Sequence, residues 1–288
     1  MLHPLRKLRR AGPLAVMAMI AAACSSDSTG NDTQLSVLLT DAPPPLFESA
    51  NVSIGEISII PADGAPIVLT SAGGSYDLLQ LQDGVTANLA TLSIDAGNYV
   101  QLRLVVTEAS VTLKDGFQFN DGSVTKTLVV PSGAQTGIKI NLSSADGNSE
   151  SGIEISGATI LVVDFDVSQN FIVQGSLDTP AGINGVLFTP LLRAVVQNIA
   201  GSIAGTVTDA ANTAVAEATV RATLQSSIVM EALQTAEATA MTAADGTYTI
   251  QFLSPGTYSV AVDGTDAGAQ TVVVGTSENV TGVDFTVN

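Results

Sequence analysis

Short runs of alternating apolar and polar residues, separated by turn motifs, repeat along most of the chain. The runs "YVQLRLVV" (99–106) and "IKINL" (138–142) are examples, and "KDGF", "NDGS" and "PSGA" are among the turns. Alternation at a period of two places apolar side chains on one face of a strand, while Gly and Asp favour tight turns. The pattern therefore predicts an all-β protein made of antiparallel β-sandwiches.

The first part of the chain carries six clear strand patterns. They lie at 34–40, 52–60, 99–106, 109–113, 126–130 and 138–142. The stretch "LQDGVTANLATL" (81–92) is less regular, and we expect one helical turn within it. Strands of this length, joined by short Gly- and Asp-containing turns, predict a first sandwich over residues 34–198.

The composition of the strands changes near 197–201, where they become rich in Ala, Thr and Val. Strand patterns then follow at 202–208, 217–224, 239–243, 247–252, 257–263, 269–274 and 281–287. They predict a second, smaller sandwich over residues 201–288, consecutive to the first. The segment 225–238 lacks turn residues, so a short helix and a long hairpin both remain open for it.

The N-terminus has the pattern of an export signal. A basic head, "MLHPLRKLRR", precedes the short apolar stretch "AGPLAVMAMIAAA". This stretch is shorter than the roughly 20 apolar residues that a membrane-spanning helix needs. We expect residues 1–23 to be a signal peptide and the polar residues 24–33 to be a flexible tether.

Cys24 is the single cysteine of the chain and directly follows "AAA". The sequence "AAAC" resembles the bacterial lipobox, although Ala21 stands where Leu is usual. The resemblance implies cleavage before Cys24 and acylation of its sulfur. The alternative is a free or buried thiol. Because Ser25 is not the Asp of an inner-membrane retention signal, we expect an exported protein anchored by lipid to the outer membrane.

The charged residues exclude several classes of function. Without residues 1–23 the chain keeps all 27 acidic residues and six basic ones, a net charge of about −21. This charge repels nucleic acid. The only histidine, His3, lies in the signal. The remaining chain therefore lacks the residues for Ser–His–Asp or Cys–His catalysis and for His- and Cys-based zinc sites.

Two families resemble successive parts of the chain. "LLTDAPPP", "YDLLQLQDG", "DAGNYVQLRLVV", "ILVVDFDV" and "FTPLLRAVV" occur in that order over 34–197, and they resemble the domain-of-unknown-function family DUF4382. This resemblance implies a bacterial lipoprotein but no mechanism. "GSIAGTVTDAANTAVAEATVRA" and "TAADGTYTIQFLSPGTYSVAV" resemble the carboxypeptidase regulatory-like, transthyretin-type domain. That resemblance implies a non-catalytic module related in fold to starch-binding domains.

The stretch "ILVVDFDV" (160–167) places two carboxyl groups two positions apart. On a regular strand, Asp164 and Asp166 would share a face. One interpretation is a calcium site completed by Asp41, since calcium prefers oxygen ligands. The other is a structural role, in which Arg193 pairs with Asp164 or Asp166 and Asp41 caps the turn after the first strand. No other cofactor is expected.

Turn and aromatic residues stand out in the second sandwich. Asp245 should cap its turn, and Gly246 and Gly256 should supply turn geometry. Tyr248 and Tyr258 could stack on sugar rings or pack in the core.

Three classes of function remain. The first is a non-enzymatic envelope protein that binds a protein or glycan partner, scaffolds or adheres. The second is a carbohydrate- or small-ligand-binding module. The third is an enzyme that uses carboxylates or a metal.

Overall fold

The computed structural model describes residues 32–41, 46–131, 136–142, 152–177, 179, 182–225 and 237–288. Residues Asn31–Asn288 form one compact unit. Its buried apolar side chains form two clusters, one drawn from residues 35–192 and one from 203–287. The signal peptide, Cys24 and most of segment 225–238 lie outside the described residues. No helix in the described part of the chain is long and apolar enough to cross a membrane.

The first cluster is built from strands β1 to β13. They are β1 (Asp32–Thr40), β2 (Phe47–Pro61), β3 (Ile67–Thr70), β4 (Gly74–Asp77), β5 (Ala87–Asp95), β6 (Gly97–Leu113), β7 (Thr125–Leu128), β8 (Ile138–Asn141), β9 (Ile153–Ile155), β10 (Thr159–Asp164), β11 (Phe171–Gly175), β12 (Ile183–Phe188) and β13 (Arg193–Val196). Because β1 begins at Asp32, the strand takes up the last two residues of the predicted tether.

The first sandwich has two main sheets and a hairpin. One sheet has the order β13-β10-β1-β5. In the seven-stranded sheet, β2 and β6 pair along the centre, β3 and β4 extend the β2 side, and β7, β8 and β9 extend the β6 side. The hairpin is β11-β12. β1 and β10 run parallel, so their carboxyl ends meet at one edge, where Thr40 pairs with Asp164.

Strand β6 differs from the predicted pair of strands 99–106 and 109–113, because it is continuous. Its buried positions include Leu104 and Val106 before the junction and Ala109 and Val111 after it. The three-residue step from 106 to 109 changes the phase of the alternation. A register shift against β2 between Ser53 and Ile54 causes it, since these two residues pair with Glu108 and Val106. The sequence pattern was therefore interrupted by a β-bulge and not by a turn.

The helical turn expected within 81–92 is also misplaced. A 3₁₀ turn spans Leu78–Gln80, and the Asp77 side chain caps it by accepting a hydrogen bond from Leu79 N at 3.2 Å. Residues Ala87–Asp95 instead form β5, which pairs with β1. The helical turn thus lies directly after an N-cap carboxyl group, a few residues before the stretch in which it was expected.

The second cluster is built from eight described strands. They are β14 (Gly201–Asp209), β15 (Thr219–Leu224), β16 (Glu237–Met241), β17 (Thr247–Leu253), β18 (Gly256–Val262), β19 (Gln270–Val274), β20 (Asn279–Val280) and β21 (Phe285–Val287). One sheet has the order β17-β14-β20, with β21 also paired to β14, and the other has the order β16-β15-β18-β19. Two consecutive all-β sandwiches are thus confirmed, although β20 and β21 pair with β14 in parallel.

Candidate functional site: an acidic cluster between the two sandwiches

The carboxyl ends of β1 and β10 bring Asp41, Asp164 and Asp166 to the edge of the first sandwich that faces the second. All three side chains are buried. Arg193, the first residue of β13, lies directly opposite Asp164 in the antiparallel β10–β13 ladder. The topology of this sheet therefore gathers the acidic residues and the arginine that the sequence analysis singled out.

Arg193 forms an ion pair with Asp164 in a largely buried setting. Its Nη2 atom donates to Oδ2 of Asp164, and the two side chains are 17% and 7% exposed. The same guanidinium donates to the carbonyl oxygens of Phe252 and, at 3.3 Å, of Gln251. Arg193 therefore links a carboxylate of the first sandwich to the backbone of the second.

The carbonyls of Gln251 and Phe252 are available because β17 is irregular there. The register of β14 and β17 shifts between Gly201, which pairs with Leu253, and Ile203, which pairs with Ile250. Two residues of β17 thus oppose one of β14, as in a β-bulge. Phe252 has a φ of 53°, a left-handed conformation that is strained for an aromatic residue. This local distortion directs the two carbonyls towards Arg193.

Asp166 is placed differently from the prediction. Strand β10 ends at Asp164, and Asp166 has a φ of 25° and precedes the short helix Val167–Asn170. The two carboxyl groups therefore do not share a regular strand face. The backbone turns inward instead, and Asp166 N donates to Oδ1 of Asp164 at 3.2 Å.

The carboxyl group of Asp166 accepts hydrogen bonds from both sandwiches. Ser168 Oγ donates to its Oδ1 at 2.6 Å, and Thr239 Oγ1 from β16 donates to its Oδ2 at 2.9 Å. The pKa of the Asp166 carboxyl is raised to about 7, chiefly by burial and also by the charge of Asp164. The bonds from Ser168 and Thr239 and the charge of Arg193 act in the opposite direction.

Asp41 caps the short helix from a distant part of the chain. Its Oδ1 accepts a hydrogen bond from Val167 N at 2.8 Å. The helix needs this acceptor, because Asp166, at the N-cap position, makes no capping bond of its own. Asp41 was expected to cap a turn after the first strand, and residues 42–45, which follow it, lie outside the described residues.

Asn170 organises the same segment and was missed by the sequence analysis. Its side chain is fully buried and donates to the carbonyls of Phe165, Asp166 (2.8 Å) and Leu191 (3.1 Å). Its Oδ1 accepts a hydrogen bond from Leu191 N. Such a residue holds the chain after β10 against the segment that leads into β13. Nothing in the local sequence distinguishes Asn170 from an exposed polar residue.

The cleft beside this cluster is small. Its lining includes Asp41, Asp164 and Arg193 from the first sandwich, and Thr239, Thr249 and Gln251 from the second. The cleft has a volume of about 30 Å³, enough for a water molecule or two but far below a typical organic-ligand pocket. Within the described ranges, no three His, Cys, Asp or Glu residues are arranged to hold a metal ion.

The turn residues of the second sandwich are placed as follows. Asp245 accepts hydrogen bonds from Thr247 N at 3.1 Å and from Thr247 Oγ1 at 2.7 Å. Gly246 has a φ of +78°, which suits glycine. Gly256 differs, since it begins β18 without a positive φ, and a Cβ there would lie 2.6 Å from Leu224 Cδ1. Gly256 therefore does not supply a positive-φ turn, and a Cβ there would displace only the end of the flexible Leu224 side chain.

Tyr248 and Tyr258 pack in the core of the second sandwich. They are 3% and 4% exposed. Their hydroxyls donate to the carbonyls of Val283 at 2.6 Å and Ser254 at 2.8 Å. Neither ring offers a surface for stacking on a sugar.

The chain is similar to several solved structures, of which three are described. The Bacillus anthracis TIE protein is 10% identical over 88% of this chain and 34% of its own, with a TM-score of 0.22. A streptococcal ancillary pilin is 10% identical over 91% and 64%, with a TM-score of 0.24. BcpA, the major pilin subunit of Bacillus cereus, is 9% identical over 89% and 100%, with a TM-score of 0.25. TM-scores this low do not establish a common fold.

The chain spans about a third of the TIE protein and under two thirds of the ancillary pilin. A search among curated proteins finds no match. Family models do match. The carboxypeptidase regulatory-like domain matches residues 202–288, and the domain of unknown function DUF4382 matches residues 32–185. Both resemblances are confirmed in their order, and the chain belongs to the DUF4382 family, with a carboxypeptidase regulatory-like domain following.

Proposed function

We propose that the protein is a non-catalytic lipoprotein of the bacterial envelope, whose two sandwiches are locked into one rigid scaffold that presents a binding surface. The observation that supports this proposal best is that the acidic cluster forms contacts between the two sandwiches. Asp164 pairs with Arg193, Arg193 holds two carbonyls of the second sandwich, and Asp166 accepts a bond from Thr239. These contacts hold the two sandwiches together, which favours a structural role for the cluster over a catalytic one.

A second contact supports the rigid junction. Gly84, in the turn before β5, has a φ of +82° and lies close to Gln251 of the second sandwich, since a Cβ added to it would come within 2.6 Å of the Gln251 Oε1 atom. Ser277 adds another, because its N and Oγ donate to the carbonyls of Ile199 (3.0 Å) and Asn198 (2.6 Å) in the connecting turn. Several separate contacts restrict the rotation of one sandwich relative to the other more strongly than a single contact would.

The alternatives receive less support from the site. The enzyme hypothesis needs a pocket in which carboxyl groups contact a substrate, and the cleft beside these groups has a volume of only about 30 Å³. The carbohydrate-binding hypothesis relied on Tyr248 and Tyr258, which are both buried. A scaffolding role requires neither a pocket nor exposed aromatic rings.

The rigid junction can be tested by measuring the distance between spin labels. Two exposed strand residues, Ser93 in β5 and Thr286 in β21, are replaced by cysteine in a Cys24→Ala background. We expect a narrow distance distribution, and a broader one when Arg193→Ala is added. A broad distribution in the parent chain would refute a locked junction.

The lipid anchor needs its own test. We expect the unmodified chain in the outer-membrane fraction and Cys24→Ala in the soluble fraction, because the thiol is the proposed acylation site. Ser25→Ala is the matched control and should leave the fractionation unchanged. Membrane retention of the Cys24→Ala protein would show that another feature holds it there.

A further inference from the structure

Strand β19 is an edge of the second sandwich. It ends the sheet β16-β15-β18-β19. The opposite side of this sandwich, at β16 and β17, contacts the first sandwich through Thr239 and the carbonyls of Gln251 and Phe252. Among the described residues, none pairs with the outer side of β19. This edge therefore has backbone groups available for a further strand.

The ladder identifies which backbone groups point outward. In β18, Thr257 O accepts from Gln225 N at 2.7 Å, and Asp263 N, just after the strand, donates to Thr219 O at 2.9 Å. Odd-numbered positions therefore face β15, and even-numbered ones, such as Tyr258 opposite Val272, bond to β19. The alternate residues of β19, Thr271 and Val273, consequently direct their N–H and C=O groups to the open edge.

The side chains of β19 leave this edge unprotected. Thr271 and Val273 are exposed, with Val273 at 64%, while Val272 and Val274 are buried. The strand "QTVVV" contains no proline and no charged residue. Native edge strands usually carry a lysine, a proline or a bulge that prevents pairing with another chain. β19 has neither a lysine nor a proline, and its regular register with β18 shows that it has no bulge.

The surroundings of β19 are acidic at both ends. At the Gln270 end, Gln270 Nε2 donates to Asp284 O at 2.6 Å, and exposed Asp266 lies in the preceding turn. At the other end, Glu278 Oε2 accepts from Gly275 N at 2.7 Å. The last basic residue of the sequence is Arg221, and its guanidinium binds Glu237 and Asp263. Asp266 and Glu278 therefore flank the two ends of β19, and the arginine nearest to them in the sequence is already paired with other carboxylates.

We propose that the β19 edge binds an extended, basic segment of a partner protein as an added strand. Main-chain hydrogen bonds to Thr271 and Val273 would supply affinity, and the flanking carboxylates would select Lys or Arg side chains. A second copy of this chain fits less well, because antiparallel pairing of two β19 strands brings the Asp266 end of one against the Glu278 end of the other. This inference rests on the binding role proposed above but not on the lipid anchor.

The test uses the full chain and a short blocked peptide of alternating valine and lysine, followed by fluorescence anisotropy. We expect saturable binding that weakens with salt, and no binding of a matched valine–glutamate peptide. Val273→Pro removes one outward N–H and no bond to β18, so it should weaken binding about tenfold or more. Val273→Thr keeps the N–H and should bind like the parent chain.

Hydrogen exchange on the parent chain gives a readout that does not depend on the proline variant folding. The amides of Thr271 and Val273 should exchange rapidly in the free chain and slow when the lysine peptide binds. If the peptide binds equally well to Val273→Pro and does not slow the exchange of the Thr271 and Val273 amides, the binding reflects charge attraction alone. Such a result would overturn the proposal. Concentration-dependent dimerisation without peptide binding would assign the edge to a second copy. If the peptide does not bind but the Cys24 variants fractionate as expected, the β19 proposal is wrong and the lipid anchor is still supported.

Discussion

Thr239 of the second sandwich donates a hydrogen bond of 2.9 Å to Oδ2 of Asp166, a buried carboxyl group at the end of the first sandwich. The two residues are 73 positions apart in the sequence. Ser168 Oγ lies 3.3 Å from the same Thr239 hydroxyl. Thr239 therefore contacts both the Asp166 carboxyl and the Ser168 hydroxyl of the first sandwich. The junction is therefore a polar, hydrogen-bonded contact, and its strength should depend on the few groups that form it.

Arg193→Ala should destabilise the protein strongly. The substitution leaves Asp164 buried without its cation and the carbonyls of Gln251 and Phe252 without their donor. Breaking a buried ion pair from one side costs about 3 kcal/mol. We expect a loss of this size in the free energy of unfolding, measured by urea denaturation.

Two controls separate this effect from the loss of any positive charge. Lys126→Ala breaks the ion pair of Lys126 with Asp121, whose side chains are 26% and 55% exposed. This pair is more exposed than Arg193–Asp164, so its loss should change stability far less. Arg193→Lys keeps the charge but cannot bridge a carboxylate and two carbonyls. Its free energy of unfolding should therefore lie between those of the parent chain and Arg193→Ala. Equal effects of Lys126→Ala and Arg193→Ala would contradict the assigned role.

Asp166 should make stability fall as pH rises. Its pKa is about 7 in the folded protein, raised from an ordinary value of 3.8. A raised carboxyl pKa means that the folded state holds the proton more tightly than the unfolded state. The contribution of Asp166 is therefore complete below about pH 4 and is lost as the pH approaches and passes 7.

Asp166→Asn tests this pH dependence, because the amide remains neutral. The variant should lose the fall in unfolding free energy between pH 5 and pH 8, measured by denaturant titration. Asp245→Asn is the matched control, since hydrogen bonds from Thr247 lower the pKa of the exposed Asp245 and its titration lies below this range. A parent chain that is equally stable at pH 5 and pH 8 would show that Asp166 is not the group described.

Calcium should leave the melting temperature unchanged. The sequence is compatible with a calcium site at Asp41, Asp164 and Asp166. In the structure, Arg193 supplies the positive charge beside Asp164, and Val167 N and Thr239 Oγ1 donate to the other two residues. Melting curves with calcium and with a chelator should coincide. A calcium-dependent rise that Asp41→Asn abolishes would support the metal hypothesis instead.

The strands could be predicted because burial on one face imposes a period of two. β8 and β17 follow their sequence patterns closely. The bulge in β6 and the left-handed Phe252 could not be predicted, because both arise from pairing with a strand that is distant in the sequence. Local periodicity records which face is buried but not how two strands are staggered.

The acidic residues of the site could be identified from sequence, but their contacts could not. A strand through "VVDFDV" predicts that Asp164 and Asp166 share a face, and the actual chain leaves the strand between them. The residues that decide the outcome, Asn170 and Thr239, are ordinary polar residues in the sequence. Their importance comes from burial at a junction that only the tertiary structure creates.

Gly205→Ala should destabilise the second sandwich. A Cβ on Gly205 would lie 1.9 Å from the carbonyl oxygen of Val283 and 3.1 Å from Cε1 of Tyr248. The Tyr248 hydroxyl donates to that same carbonyl, and Val283 N donates to Ala204 O at 3.1 Å. The methyl group must displace the Val283 segment and these bonds, so we expect a loss of about 2 kcal/mol in unfolding free energy.

Gly97→Ala is the matched control for Gly205→Ala, because Gly97 is also a strand glycine without a positive φ, and nothing lies within 4 Å of its Cβ position. Alanine there should be neutral or slightly stabilising, since it reduces the freedom of the unfolded chain. Thermal and urea unfolding of both variants would measure the difference. If Gly205→Ala were as stable as Gly97→Ala, the close approach of Val283 to β14 would be wrong, and with it the packing that buries Tyr248.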